Sequence, residues 1–334
     1  MRKLSHENFL KARDFIFANA DDVNRAWYVY HFENGNAEDF MAVLARHQFE
    51  NGGFGGLVYE FEYQGPCLKC TEHAFRYIVN LKERPSPEHP VIQKMVRYVL
   101  ERYRPDFGRW GELLEPEVND GAHVRWWTYP DCDITPIADV NERIKHYNPN
   151  GEASLAAIVA LYPELVPEEL YREILSYPIE FILRYYDENS PLFGKSARLD
   201  HGKLDIESPY NMKCYQEFIK CLPDKKTAER LAEILRQNPT ACMELDYNTW
   251  ANDYVELPCD VIESPESVVY PAVKEVVDDS LDFLIGRQSD DGAWHLTWHF
   301  GENERFRRLE RLYEANYTLK VLTRLLRFNR IEME

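Results

Sequence analysis

The chain has 334 residues, of which 45% are hydrophobic and 29% charged, with 15 glycines, and this composition is typical of a compact globule rather than a disordered chain. Its formal net charge is −18, which argues against a nucleic-acid partner because phosphate backbones bind lysine and arginine. We find no linker or low-complexity stretch that would divide the chain. The sequence therefore predicts one domain over residues 1–334.

The apolar runs of the sequence are short. The longest, 155–162, is far below the roughly 18 residues of a membrane span. Charged residues interrupt the first fifteen positions, and the last four carry no prenylation cysteine. The seven cysteines are odd in number and scattered, as expected of reduced thiols. We therefore predict a cytoplasmic protein without a membrane span.

Helical spacing of apolar residues is the main structural signal along the chain. Four segments have this spacing and stop near Gly or Pro, and each is followed by a turn and a second helical segment. Strands lack support, because no period-two alternation is sustained. The sequence thus predicts an all-α fold of about five to six units, each an outer helix, a loop and an inner helix. The predicted outer helices are 40–48, 91–103, 171–186 and 273–288, and the predicted inner helices are 71–81, 153–162, 210–222 and 313–328.

The loops between these helices repeat a motif, Leu-x3-Gln-x3-Gly-x-aromatic. The motif occurs in full twice. Two degenerate copies lie between the full ones in the sequence, and they end on Trp110 and Phe193. The spacing of the copies indicates a further, eroded one after 236–237. The complete copies are Leu44, Gln48, Gly52 and Phe54 near the start of the chain and Leu284, Gln288, Gly292 and Trp294 near its end.

These loops resemble the Gln-Trp repeat of terpenoid cyclases and protein prenyltransferase β subunits. Both families are α/α toroids, so the resemblance implies helix hairpins closed into a barrel. In physical terms, the Gln amide can bond main-chain groups at a helix end while the aromatic ring packs over the turn. The role that follows for the repeat residues is structural and says nothing about catalysis.

A loop at 129–135, with the sequence Tyr-Pro-Asp-Cys-Asp-Ile-Thr, is similar to the Asp-x-Asp-Asp-Thr motif of class II terpene cyclases. That resemblance implies that Asp133, beside Asp131, donates a proton to an alkene or epoxide, since a desolvated carboxyl can stay protonated near pH 7. Ile134 stands where the family has a further Asp. The alternative interpretation is that these aspartates form a turn or cap a helix.

Four aromatic residues and one further acid are candidates for the same site. Trp126, Trp127 and Tyr129 either line a cavity mouth or pack against helices, and Tyr210 begins a predicted inner helix. Glu152 lies near a predicted helix N-terminus, where it either compensates the helix dipole or faces a central cavity. We take these aromatic residues as candidate substrate contacts and Glu152 as a candidate catalytic acid.

The sequence predicts neither a metal nor a cofactor. Cys67, Cys70 and His73 have no second pair to complete a tetrahedral zinc site, and His295 and His299 lack the Glu of a zinc protease motif. The prenyltransferase zinc site uses an Asp-x-Cys pair, and no Asp stands two residues before a Cys. Protein prenylation is disfavoured on that ground, and the α subunit it requires is absent from this chain.

Three classes of function remain open. A toroid binding or transforming an apolar isoprenoid-like molecule predicts an apolar cavity with one buried Asp. A glycan-acting enzyme predicts a polar groove with facing carboxylates and aromatic platforms. A non-catalytic interaction scaffold predicts a cavity filled by its own side chains. The repeat resemblance favours the first, with cyclase-like lyase or isomerase chemistry, and the acids available to the second are Asp131, Asp133, Glu152, Asp205 and Glu207.

Overall fold

A computed structural model describes residues 1–130, 136–194, 206, 208–253 and 255–333. These residues form fourteen α-helices, a few short 3-10 turns and isolated β-bridges, and no strand is present among them. The prediction of an all-α fold is confirmed. The helices are α1 His6–Asn19, α2 Asp22–Phe32, α3 Ala37–Leu44, α4 Leu68–Ile78, α5 Pro90–Glu101, α6 Val140–Lys145, α7 Pro149–Leu161, α8 Glu168–Tyr185, α9 Pro209–Cys221, α10 Lys225–Leu235, α11 Tyr247–Trp250, α12 Pro258–Val261, α13 Tyr270–Gly286 and α14 Glu304–Arg327.

All eight helices predicted from apolar spacing are present, and the largest boundary error is at the start of α14. Helix α4 begins three residues before the predicted position 71 because Cys67 caps it, its Sγ accepting a hydrogen bond from the Cys70 amide at 3.3 Å. Helix α14 begins nine residues before position 313, after its cap Asn303. The first turns of α14 are charged and mostly exposed, so apolar periodicity does not reveal them.

The glutamine of each complete repeat joins its own loop to the first turn of another helix. Gln48 Nε2 donates to the carbonyl oxygens of Gly52 and Val91, both at 3.0 Å, and Val91 lies in the first turn of α5. Gln288 Nε2 makes the same pair of bonds, to Gly292 and Asn8 at 2.9 Å, and Asn8 lies in the first turn of α1. The predicted contact of the amide with main chain at a helix end is confirmed.

The aromatic residues of the repeat are buried and hold the same loops. The indoles of Trp110 and Trp294 donate to the Val99 and Leu284 carbonyls, at 2.8 and 2.7 Å, near the ends of α5 and α13. Phe54 is fully buried. Its amide donates to a threonine hydroxyl of inner helix α4, and the Trp294 amide donates likewise to a threonine of α14. The loops thereby connect outer helices to inner helices.

We call α2, α4, α7, α9, α12 and α14 the inner helices, and the helices that pack on them the outer helices. Inner helices contact one another in the pairs α4 with α7, α7 with α9, α9 with α12, and α14 with α2. Outer helices pack on them, for example α8 on α7, α10 on α9 and α13 on α12. The two ends of the chain also meet, because α1 packs on α14 and the Leu4 amide donates to the Arg330 carbonyl at 2.8 Å.

Three inner helices are joined by buried amide and phenol groups. The side-chain oxygen of Asn24 on α2 accepts hydrogen bonds from Tyr77 on α4 at 3.2 Å and from Asn316 on α14 at 2.7 Å. Such groups need partners when buried, so this contact fixes the relative position of α2, α4 and α14. None of the helices in the described parts of the chain is long and apolar enough to cross a membrane.

Candidate functional site

The predicted acids of the 129–135 loop, Asp131 and Asp133, lie outside the residues that the structure describes. The same holds for Asp205 and Glu207. Glu152, Tyr210 and the aromatic residues near position 127 are described, and their surroundings therefore define the candidate site.

Trp127 lies beside charged residues of the inner helices. Its indole donates to Glu60 Oε2 at 2.8 Å, and the ammonium of Lys69 lies 5.0 Å from the centre of its ring. Trp126, in the same 3-10 turn, is exposed; it contacts the ring of Trp298, with 5.2 Å between centroids, and its side chain also bonds Glu60. Both adjacent tryptophans therefore bond Glu60, and Trp127 is the more buried of the two.

The other two aromatic candidates, Tyr129 and Tyr210, have different neighbours from each other. Tyr129 is partly buried, and the side chain of Asn119 bonds both its amide and its carbonyl. Tyr210 lies in the first turn of α9, where its hydroxyl donates to Glu256 Oε1 at 3.1 Å. The ammonium of Lys213 lies 5.2 Å from the Tyr210 ring and pairs with Glu256. Tyr210 is therefore in a charged environment, as Trp127 is.

Most of the charged side chains around Trp127 and Tyr210 belong to the inner helices and to the segment 256–263. We call this set the central cluster. Sequence reasoning missed it, although its members follow one another at three- and four-residue spacing on helices α4, α9 and α14. The central cluster comprises Glu60, Lys69, Glu72, His73, Arg76, Lys213, Glu217, Glu256, Asp260, Glu263, Lys320 and Arg324.

Glu72 is the most deeply buried acid of the central cluster, with 1% of its side chain accessible. Lys69 Nζ donates to its Oε2 at 2.6 Å, and Arg76 Nη2 donates to its Oε1. Burial alone would raise the pKa of Glu72, but the charges of Arg76 and Lys69 outweigh it and hold this pKa far below its ordinary value. Glu72 is therefore an ionised structural anchor for both cations.

Glu217 lies on the other side of Arg76, whose Nε is 3.6 Å from Glu217 Oε2. The hydroxyl of Ser154 donates to the same oxygen at 2.6 Å. Burial raises the pKa of Glu217, and the nearby carboxylates of Glu72 and Glu263 raise it further. The side chain of Glu217 remains 13% accessible to solvent.

For Glu263, the charges of nearby cations outweigh the effect of burial on the pKa. Burial again opposes ionisation, but Arg324, Lys213, Arg327 and Lys320 together lower the pKa of Glu263. Nearly half of its side chain is accessible to solvent. The central cluster therefore holds two accessible carboxyl groups whose pKa values are displaced in opposite directions, the arrangement that separates an acid from a base.

Helix α14 carries one accessible member of the central cluster, Lys320. Asn316 and Arg324, one turn on either side of Lys320, are 6% and 3% exposed, whereas Lys320 between them is exposed. Residues four apart lie on the same helix face, so Lys320 is an accessible position on a face whose neighbouring positions are buried. Desolvation by the surrounding groups lowers the pKa of Lys320.

Glu152 lies next to this cluster at the start of the regular part of α7, after a break at Asn150 and Gly151. It is 2% exposed, and its Oε1 is 3.8 Å from Arg109 Nε. Its Oε2 accepts no hydrogen bond from any described residue. Burial raises the pKa of Glu152 to about 8, which outweighs both Arg109 and the helix N-terminus. The carboxyl is therefore largely protonated at pH 7.

The stability of the protein should fall as the pH rises because of Glu152. An exposed Glu ionises near pH 4.3, so between that pH and about 8 the folded chain holds a proton that the unfolded chain has lost. In Glu152→Gln, we expect the free energy of unfolding to fall less steeply with pH than in the wild type, by up to about 1.4 kcal/mol per pH unit. Thermal unfolding at pH 5, 6.5 and 8 measures it, with a substitution at the exposed residue Glu233 of α10, Glu233→Gln, as control. Parallel pH profiles for wild type and Glu152→Gln would contradict the assignment.

Two residues of types that can bind a metal, Cys67 and His295, make contacts within the protein. Cys67 caps α4, and His295 contacts the carboxylates of Asp291 and Glu314 at 3.1 and 3.0 Å. No group of three His, Cys, Asp or Glu side chains placed to hold a metal ion occurs within the described ranges.

Comparison with known proteins does not assign this chain to a family. No protein-family model matches it, and no curated protein matches it. Its function is therefore argued from the central cluster.

Proposed function

We propose that this chain is an α/α-toroid protein whose central cluster binds a glycan and transfers a proton to it. The toroid part of the proposal is supported by the two-layer packing, by the contact between the first and last helices, and by the loops that resemble Gln-Trp repeats. The glycan part is supported by the chemistry of the interior.

The observation that carries the proposal is the opposite displacement of two accessible carboxyl groups. Glu217, with a raised pKa, is the proton donor, and Glu263, with a lowered pKa, is the ionised partner. Protonation of a glycosidic oxygen by the first and use of the second as base or nucleophile is the chemistry of glycoside cleavage. Glu72 and Arg76 position Glu217 and need not contact the ligand.

The surroundings favour a polar ligand over an apolar one. An isoprenoid chain in contact with this cluster would remove water from charged groups without replacing their hydrogen bonds, which is costly. A sugar offers hydroxyl groups to the same charges, and its ring faces can stack on Trp127 and Tyr210. Both aromatic side chains contact members of the central cluster.

The test is turnover of a panel of neutral and acidic oligosaccharides, followed by release of reducing ends and by mass spectrometry. We expect Glu217→Gln and Glu263→Gln to lower kcat by about 10²-fold or more, the usual contribution of a general acid or base. In the wild type, activity should fall at high pH as Glu217 ionises and at low pH as Glu263 is protonated. Wild-type turnover by both variants, with Glu233→Gln as the matched exposed control, would refute the assignment.

One observation favours a second candidate, acid-initiated chemistry on an isoprenoid-like molecule. Glu152 is a buried carboxyl that stays protonated near pH 7, the property required of a proton donor to an alkene. The same ligand panel therefore includes farnesyl diphosphate. Stabilisation by that compound but by no oligosaccharide would favour this candidate over the glycan proposal, and loss of turnover in Glu152→Gln would then identify the acid.

A further inference from the structure

Lys320 differs from the other cations of the central cluster in its partners. Lys69 pairs with Glu72 at 2.6 Å, and Arg324 pairs with Asp260 at 2.7 Å. Lys213 likewise pairs with Glu256. By contrast, no carboxylate among the described residues lies within ion-pair distance of Lys320. Its amine, on an exposed side chain, is thus accessible to a ligand from solvent.

The charges around Lys320 favour its neutral form. Desolvation is the largest influence, and together with the cations Arg76 on α4 and Lys213 on α9 it lowers the pKa of Lys320 to about 8. The carboxylates of Glu263 and Glu60 oppose this shift only in part. At pH 7 roughly a tenth of the amine is then neutral, about 200-fold more than for an ordinary lysine of pKa 10.4. A neutral amine is the nucleophilic form.

We propose that Lys320 is a nucleophile that forms an imine with an aldehyde-bearing ligand, such as the open-chain form of a reducing sugar. The Nζ lone pair attacks the carbonyl carbon, the carbonyl oxygen takes up a proton and Nζ loses one, which gives a carbinolamine. Water then leaves as the C=N bond forms, and no oxidant or reductant is needed. This inference goes beyond the proposed glycan cleavage and does not depend on it.

Reductive trapping tests the inference directly. The full chain is incubated at pH 7 with glycolaldehyde and sodium cyanoborohydride, and the modified lysines are identified by peptide mass spectrometry. We expect Lys320 to be alkylated about tenfold faster than Lys226, an exposed lysine on α10, because the larger neutral fraction outweighs the lower basicity of its amine. Equal or slower labelling of Lys320 would overturn the proposal.

Two controls separate reactivity from folding. Lys320→Arg should lose the fast label with an unchanged melting temperature, because the wild-type ammonium makes no ion pair. Lys226→Arg should keep the label at Lys320. If Lys320→Arg does not fold, the pH dependence of labelling in the wild type decides, since a midpoint near 8 supports the proposal and one near 10.4 refutes it. The assay contains no glycan substrate, so failure of the glycan proposal would not affect it.

Discussion

Gly52→Ala and Gly292→Ala are each expected to lower the free energy of unfolding by about 3 kcal/mol or more, the sum of backbone strain and a steric clash. Both glycines have a φ in the left-handed region, +96° and +92°. A Cβ at Gly52 would lie 2.1 Å from the carbonyl oxygen of Lys94 in α5. At Gly292 it would lie 2.3 Å from the backbone carbonyl carbon of Lys11 in α1. Because the obstacle is helix backbone in both cases, the loop and the helix must separate.

Gly194 provides the matched control for these two substitutions. Its φ is +64°, but an added Cβ would meet no atom of the described residues within 4 Å. Gly194→Ala therefore isolates the backbone strain, and we expect it to cost only about 1 kcal/mol. Urea unfolding followed by circular dichroism measures all three variants. If the repeat glycines cost no more than Gly194, the close approach of loop and helix would not contribute to stability.

Glu72→Gln is the second substitution with a large expected effect. It leaves the ammonium of Lys69, whose side chain is 5% exposed, without its carboxylate. Breaking a buried ion pair on one side typically costs about 3–5 kcal/mol, because the remaining charge stays desolvated. We therefore expect a loss of that size in the free energy of unfolding at pH 7, again measured with urea.

The pair of Glu142 and Lys145 controls for helix spacing. It has the same i,i+3 separation and a contact of 2.6 Å, but it is largely exposed, so Glu142→Gln should change stability by less than about 0.5 kcal/mol. The pH dependence gives a second check. Because the pKa of Glu72 is lowered in the folded state, its stabilisation is present above the ordinary pKa of a Glu near 4.3 and is lost as the pH falls further. Equal effects of Glu72→Gln and Glu142→Gln would show that burial does not strengthen the first pair.

The glycine substitutions test how the repeat loops pack on helices, and Glu72→Gln tests the ion pairs of the central cluster. The repeat glycines let loops approach the outer helices, while the amides of Phe54 and Trp294 bond threonines of α4 and α14. Those inner helices carry Glu72 and Lys320. A loop that separates from its neighbour should therefore also disturb the central cluster, whereas Glu72→Gln should leave the loops intact.

The sequence by itself determined the all-α fold and the structural role of Gln48 and Gln288. Helical periodicity and turn formation are local properties, so 10 to 20 residues are enough to reveal them. Gln48 and Gln288 were recognisable because the same spacing recurs in two distant loops. The resemblance to a family added the expectation of a toroid, which remains a proposal.

Only the tertiary structure decided which charges lie inside. In the sequence, Lys69, Glu72 and Arg76 have the i,i+3 and i,i+4 spacing of an ordinary solvated helix face, and Lys320 looks like any other lysine. Whether such a face meets water or other helices depends on how α4, α9 and α14 are rotated against one another. That rotation is set by contacts distant in sequence, such as the bonds of Asn24 to Tyr77 and Asn316. The pKa displacements at Glu152, Glu217 and Lys320 follow from the resulting burial, which no local pattern encodes.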